Sequence, residues 1–138
     1  MIDPNHVPHV ADDELLARFI VNSHEVRADG TVRPYLFLPY KQVDLSVNRH
    51  RDATLDETWA IGRQVAEQRG KTLIGRADIR ARACRVDPLD VVPRPILPHN
   101  PNHANIVGYP PRKDEQLSLA EKLAAAIEGR WESPPPIE

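Results

Sequence analysis

The sequence is short of several residue types that would identify particular classes of protein. Its only cysteine, Cys84, excludes an internal disulfide bond and a cysteine-rich zinc module, and it is typical of a reducing compartment. Aromatic residues make up only 5% of the chain, so the core must depend on aliphatic side chains. No apolar run approaches the roughly 20 residues of a membrane-spanning helix, and the amino terminus has no signal-peptide pattern. We therefore expect a soluble, cytoplasmic protein that binds no membrane.

The remaining composition is that of one ordinary globular domain. The chain has 138 residues, of which 41% are hydrophobic and 28% are charged. The net charge of −2 argues against a general nucleic-acid-coating protein. The charges are unevenly distributed, because residues 49–85 hold nine Lys and Arg against five Asp and Glu, whereas both flanking segments are acidic. This pattern predicts that the basic middle contacts the acidic ends, within one chain or between copies.

Local patterns predict a single α+β domain over residues 12–129, preceded by an arm (1–11) and followed by a proline-rich tail (130–138). We expect a mixed, mostly antiparallel sheet with about three helices packed on one face. Unless the arm and the tail pack against the domain, both should be mobile. The predicted helices cover 12–20, 55–69 and 114–128, and the predicted strands cover 23–28, 31–38, 43–48, 73–83, 89–92 and 103–107.

Two local signals support these elements most directly. Thr54 and Glu57 form a capping box, which predicts the start of the second helix. Asp29-Gly30 is a two-residue turn, which predicts a hairpin although Pro34 confines its strand to an edge or a bulge.

The apolar stripe of Leu15, Leu16, Phe19 and Ile20 has helical spacing and predicts the first helix. In the last helix we expect Leu117, Ala120, Leu123, Ala124 and Ile127 to face inward after a cap at Asp114.

The segment HNPNHANIVGYP (99–110) places His99 and His103 on either side of a turn. Pro101 and Asn102 suit the central positions of a β-turn, so both imidazoles could serve a catalytic site. A zinc site usually needs a third protein ligand, and the sequence offers none nearby, so we expect no metal. The simpler interpretation is a turn that enters a strand.

The segment NRHRDAT (48–54) joins a predicted strand to the capped helix. Arg49, His50 and Arg51 would surround an anion at the helix amino terminus, with His50 as a general acid or base. However, Thr54 already caps the helix, and the loop has no glycine with which to cradle a phosphate. A solvated charged loop is the alternative.

Arginines alternate in the segment GRADIRARACRV (75–86), which favours a strand, although alanine and arginine are also good helix formers and leave a helix as the alternative. If this segment is a strand, then Arg76, Arg80 and Arg82 share one face, with a spacing near that of phosphates in an extended nucleic acid. No aromatic side chain lies nearby to stack on bases, which weakens that interpretation. The alternative is a solvent-exposed face that pairs with the acidic ends of the chain.

The stretches DLSVNRH (44–50), GRADIRARACRVDPLDV (75–91) and NPNHANIVGYP (100–110) precede an alanine-rich helix. In this order they resemble a group of small bacterial proteins in which an LSV strand is followed by an NPxHAxIxG segment. The resemblance covers residues 43–127 and implies a bacterial source and one continuous domain. It implies no activity and no catalytic residue.

Together these observations predict a non-enzymatic protein-interaction module, an accessory or regulatory subunit of a larger system. We expect a protein partner or a homo-oligomer, no cofactor, and nucleic acid only as a less favoured partner. The alternative is a small enzyme or binder that acts on a nucleotide or nucleic-acid phosphate. That alternative uses His50, His99 and His103 as candidate catalytic groups and Arg49, Arg51, Arg76, Arg80 and Arg82 as the anion site, and it requires these side chains to converge.

Overall fold

A computed structural model describes residues 1–39 and 44–137 of the chain. Within these residues, five strands form one sheet in the order β3-β1-β2-β5-β4, and every neighbouring pair is antiparallel. The elements are β1 (Leu15–Ile20), β2 (Leu45–Arg49), α1 (Leu55–Gln68), β3 (Gly75–Arg80), β4 (Asp90–Pro93), β5 (His103–Val107) and α2 (Lys113–Ala125). The α+β class is confirmed. The described residues hold two α-helices rather than about three, together with three short 3₁₀ turns.

The predicted first helix is wrong, because residues 15–20 form β1 at the centre of the sheet. Leu16 and Ala17 are both fully buried although they point to opposite faces of the strand. A strand that is covered on both faces is apolar almost continuously, and such a run also satisfies helical spacing. The sequence alone therefore could not separate the two structures.

The helices lie on opposite faces of the sheet, which corrects the expectation that they share one. On one face, Leu16 packs in a core with Leu119 and Leu123 of α2. On the other face, Ala17 and Phe19 pack with Trp59, Ile61 and Ala66 of α1. The second face of β2, β5 and β4 is left open beside α1, and this opening creates the groove described below.

Three other predicted elements differ in detail. The Asp29-Gly30 turn forms, but only Val26 and Val32 pair across it, because Pro34 begins a 3₁₀ turn (Pro34–Phe37) instead of continuing a strand. The predicted strand 73–83 ends at Arg80 and is followed by a 3₁₀ turn (Ala81–Cys84). The predicted strand 43–48 is confirmed as β2, although its first position, 43, lies outside the described residues.

The predicted helices α1 and α2 are both present. The capping box of Thr54 and Glu57 forms on α1 as expected. In α2 the residue before the first turn is Arg112 rather than Asp114, and the buried face contains Leu119 in place of Leu117, whose side chain is exposed. The last helix therefore presents a slightly rotated face to the core.

Both ends of the chain contact the domain. Ile2 and Val10 are buried, and the Ile2 amide donates to the side-chain oxygen of Asn102 (2.9 Å). In the tail, Glu132 exchanges two backbone hydrogen bonds with Arg76 (3.0 and 2.9 Å) and so covers part of the open edge of β3. The described part of the chain contains no helix with the length and apolar character that crossing a membrane requires.

Candidate functional site

The predicted anion site around Arg49 is filled by the protein itself. The Arg49 side chain is fully buried, and it donates through Nε and Nη2 to both carboxylate oxygens of Glu14, each at 2.7 Å. Its Nη1 donates to the Pro8 carbonyl (2.8 Å). Arg51 lies 3.7 Å from Glu14 and 3.9 Å from Asp52. The positive charge predicted for this loop is therefore largely matched by carboxylates.

Burial on its own raises the pKa of the Glu14 carboxyl. The two hydrogen bonds from Arg49, one from the Ala11 amide and the nearby arginine charges outweigh that effect and hold this pKa below its ordinary value. Glu14 is thus ionised at neutral pH. Because both partners are charged and hydrogen-bonded in the interior, the pair fixes the residue 8–14 segment against the end of β2.

His50 belongs to a second cluster, with Asp78, on the face of the sheet opposite to the Arg49 side chain. Its Nε2–H donates to Asp78 Oδ1 (2.8 Å), and the same oxygen accepts from Arg76 Nε (3.1 Å). The Arg76 guanidinium also stacks on Trp59 at 4.6 Å from the ring centre. Burial on its own raises the pKa of Asp78, but His50 and Arg76 outweigh it and lower this pKa.

A carboxylate that orients a histidine is one part of a general-base arrangement. Within the described residues, however, no hydroxyl or thiol hydrogen-bonds to His50, and no three metal-binding side chains converge anywhere. Arg76 is already occupied by Asp78 and Trp59. The described geometry therefore supplies an oriented imidazole without a nucleophile beside it.

The predicted arginine row is interrupted. Arg80 pairs with Glu128 (3.2 Å) and donates to the Asp13 carbonyl (2.8 Å). Arg82 lies beyond the end of β3, in the following 3₁₀ turn, and is exposed. The row of three arginines on one strand face is thus wrong in its last member, because the strand ends earlier than its alternating sequence suggests.

The HNPNH segment is held by its asparagines. Asn100 and Asn48 exchange two side-chain hydrogen bonds (3.0 and 3.1 Å). Asn102 is fully buried, and its amide donates to the carbonyls of Arg49 (2.7 Å) and Arg51 (2.8 Å) while its oxygen accepts from Ile2. Both asparagines therefore join this turn to the end of β2. The sequence pattern indicates only turn geometry for these two asparagines, so it does not reveal this role.

His103 does not meet His50. In the sheet, His103 lies opposite Asn48, Asn48 opposite Ala17, and Ala17 opposite Asp78. Three strand spacings, about 14 Å, therefore separate His103 from the residue that binds His50. His103 Nδ1–H donates to the Arg94 carbonyl (2.8 Å). Burial, opposed only by this hydrogen bond, lowers the pKa of His103, so its ring is neutral at pH 7.

His99 and His103 instead line a groove between α1 and the open sheet face, with a volume of about 370 Å³. The sheet forms its floor, the second half of α1 forms one wall, and the loop before β5 forms the other. We call it the histidine groove and define it by the side chains that the following argument uses: Phe19, Ile61, Gln64, Val65, Gln68, Ile96, His99 and His103.

A second cavity of about 930 Å³ adjoins the histidine groove and shares with it Arg18, Phe19, Val21 and Arg69. We call it the cationic pocket, because Arg18, Arg69, Lys71 and Lys113 line it. Among the described residues, none of these four cations has a carboxylate oxygen within 4.0 Å. Glu25 is the one acidic side chain in the described lining.

Arg18 lies between the two cavities. Its Nε donates to the Leu36 carbonyl (2.8 Å) and its Nη1 to the Ser46 carbonyl (3.0 Å). Burial lowers the pKa of its guanidinium to about 10, so the group remains charged at neutral pH. No sequence pattern pointed to these four cations, because they come from β1, the end of α1, the loop after α1 and the start of α2.

No protein-family model, curated protein or solved structure matches this chain. The resemblance to small bacterial proteins therefore stays a prediction, and the geometry of the two cavities is the basis for a functional proposal.

Proposed function

We propose that this protein is a non-enzymatic bacterial interaction module, an accessory subunit that binds an acidic segment of a protein partner at the cationic pocket. The observation that carries the proposal is the contrast between two groups of cations. Arg49, Arg76 and Arg80 are candidates for the anion site by sequence, but each is paired with a carboxylate of its own chain. The lining of the cationic pocket holds four cations against one described carboxylate, Glu25, and none of the four forms an ion pair within 4.0 Å among the described residues.

Exposed apolar side chains beside this charge favour a protein partner over a free anion. Tyr35 and Leu117 line the cationic pocket with 59% and 38% of their surfaces exposed. Ile96, 43% exposed, lines the histidine groove, and Leu97 follows it. Apolar surface that is rimmed by charge is typical of interaction sites, since burying it contributes binding energy while the charges select the partner.

The alternative is a binder of a nucleotide or nucleic-acid phosphate. Unpaired arginine and lysine side chains bind phosphates as well as carboxylates, so the cationic pocket itself is the observation in its favour. His99 and His103 lie in the adjoining groove, whereas Arg49, His50 and Arg76 do not. A homo-oligomer in which acidic residues of a second copy occupy the pocket is a special case of the main proposal. A cytoplasmic location agrees with the single, buried cysteine.

Photo-crosslinking in the source cells tests the proposal. A photoreactive amino acid in place of Leu117 lies in the cationic pocket and keeps all four cations, whereas one in place of Leu55, which is also exposed, lies outside both cavities. We expect the first position alone to give a discrete protein adduct, whose crosslinked peptide is acidic by mass spectrometry. Lys113→Glu should abolish the adduct, and Lys122→Glu, on the same helix but outside the lining, should not.

Equal adducts from both positions, or an adduct that Lys113→Glu leaves intact, would contradict the interaction module. Co-purified material that absorbs more at 260 nm than at 280 nm would favour the phosphate alternative instead, provided that Lys113→Glu removes it.

A further inference from the structure

The two cavities adjoin and differ in charge. Apart from Asp44, no described Asp, Glu, Lys or Arg side chain lines the histidine groove alone, so we call this part the neutral half and the cationic pocket the positive half. The wall of the histidine groove follows α1 through Ile61, Gln64 and Gln68, and Arg69 then belongs to both cavities. Lys71 continues the lining of the cationic pocket. An occupant that lies along α1 would therefore pass from uncharged hydrogen-bonding groups to cations.

The neutral half offers two side-chain amides, those of Gln64 and Gln68, at a spacing close to that of alternate residues in an extended chain. Gln64 and Gln68 are exposed and lie one helical turn apart on the same side of α1, at a rise of about 6 Å. In an extended chain, every second residue recurs at about 6.6 Å. Two glutamine amides with this spacing can each exchange hydrogen bonds with the backbone of alternate residues of an extended peptide.

Apolar side chains lie between and opposite these amides. Val65 lies beside the two glutamines on α1, and Ile96 lies on the facing loop. Phe19 forms part of the floor and is almost completely buried, so it gives an apolar contact but no ring face on which a base could stack. This surface fits aliphatic side chains better than nucleobases.

His103 adds a neutral acceptor to the same half. Its Nδ1–H is used by the Arg94 carbonyl, so the Nε2 of the neutral ring keeps its lone pair. The carboxylate of Asp44, which accepts a long hydrogen bond from Asn105 (3.5 Å), is the acidic group in the described lining of this groove. An acidic residue of an occupant is thus disfavoured here and favoured beside Arg69 and Lys71.

We propose that the joined groove binds an extended segment of a protein partner, with alternating aliphatic residues beside Gln64 and Gln68 and acidic residues beside Arg69, Lys71 and Lys113. This inference rests on the proposed function, because it names the form and the chemistry of the segment that the interaction module binds. Backbone hydrogen bonds would supply affinity that depends little on sequence, and the cations would fix the direction of the segment.

A displayed library of random peptides, each roughly ten residues long, tests this inference on the intact protein. Selection on the wild-type chain, with counter-selection on Lys113→Glu, should enrich a consensus in which alternating aliphatic residues adjoin a run of Asp or Glu. The synthetic consensus peptide should bind about tenfold more weakly to a Gln64→Ala/Gln68→Ala double variant, since backbone hydrogen bonds are lost. Glu67→Ala, exposed on the same helix but outside the lining, is the matched control and should bind normally.

The outcomes separate this inference from the proposed function. An acidic consensus that needs Lys113 but ignores the glutamine pair would overturn the extended-segment inference and leave the interaction module in place. No enrichment over the Lys113→Glu bait would also overturn it, and crosslinking from position 117 would then decide the proposed function alone. Displacement of the consensus peptide by an equal concentration of oligothymidylate would overturn it in favour of a phosphate ligand.

Discussion

Replacing Asn102 with alanine should be among the most destabilising single changes in this chain. Its side chain is fully buried and makes three hydrogen bonds, to the carbonyls of Arg49 and Arg51 and from the amide of Ile2. Alanine leaves all three backbone groups without their partner. A buried polar group that loses its partner costs about 1–3 kcal/mol, and such costs add incompletely, so we expect a loss of about 3–5 kcal/mol in the free energy of unfolding.

Urea unfolding followed by circular dichroism measures this loss, and Asn105→Ala is the matched control. Asn105 is also an asparagine of this segment, but it is half-buried and makes one long side-chain hydrogen bond of 3.5 Å. We expect Asn105→Ala to cost less than about 1 kcal/mol. A loss below about 1 kcal/mol for Asn102→Ala, or equal losses for both variants, would refute the role of Asn102 in joining the turn to β2 and the amino terminus.

Three further predictions concern other parts of the fold. Burial raises the pKa of the Cys84 thiol to about 12, so a thiol reagent should modify the native protein no faster than it unfolds, and rapid modification would contradict its burial. Gly75→Ala places a methyl carbon in steric conflict with the carbonyl oxygen of Glu132 in the tail, so in a Trp59→Phe background the fluorescence of Trp131 should shift to longer wavelength, and an unchanged spectrum would contradict this contact. The pKa of Glu14 is lowered in the fold, so its contribution is complete above its unfolded pKa near 4.3 and is lost as pH falls. The stability gap between wild type and Glu14→Gln should therefore narrow between about pH 5 and pH 2, and a constant gap would contradict the ion pair.

The elements that the sequence predicted correctly are those whose signals are local. The capping box at Thr54 fixes the start of α1 through contacts within four residues, so it needs no knowledge of the rest of the chain. The alternation of apolar and polar residues in β2 and β5 is likewise a local signal, and it indicates a strand with one face in the core. The assignment of β1 failed because the deciding fact, a helix on each face of the sheet, lies outside the segment.

The candidate site could be predicted only in part for the same reason. His99 and His103 do line a cavity, and His50 does meet Arg76 through Asp78, but the two sets lie on separate parts of the sheet. Strand order decides this separation, and strand order is not readable from residue spacing.

The ion-pair partners of the arginines could be predicted least, because a basic segment does not indicate which carboxylates it will contact. Arg49 is neutralised by Glu14, 35 residues earlier in the chain, and Arg80 by Glu128, 48 residues later. These pairings place acidic side chains of the two outer segments on the basic middle, as the charge distribution predicted.

The same pairing explains how a chain of net charge −2 presents a positive pocket. Charges more than about 8 Å apart are largely screened at physiological ionic strength, so remote carboxylates do not cancel a local group of cations. Carboxylates that are held against Arg49, Arg76 and Arg80 are unavailable to Arg69, Lys71 and Lys113. Local charge rather than net charge therefore determines what this surface attracts, and its attraction for an acidic segment should weaken as salt concentration rises although this chain itself carries a negative net charge.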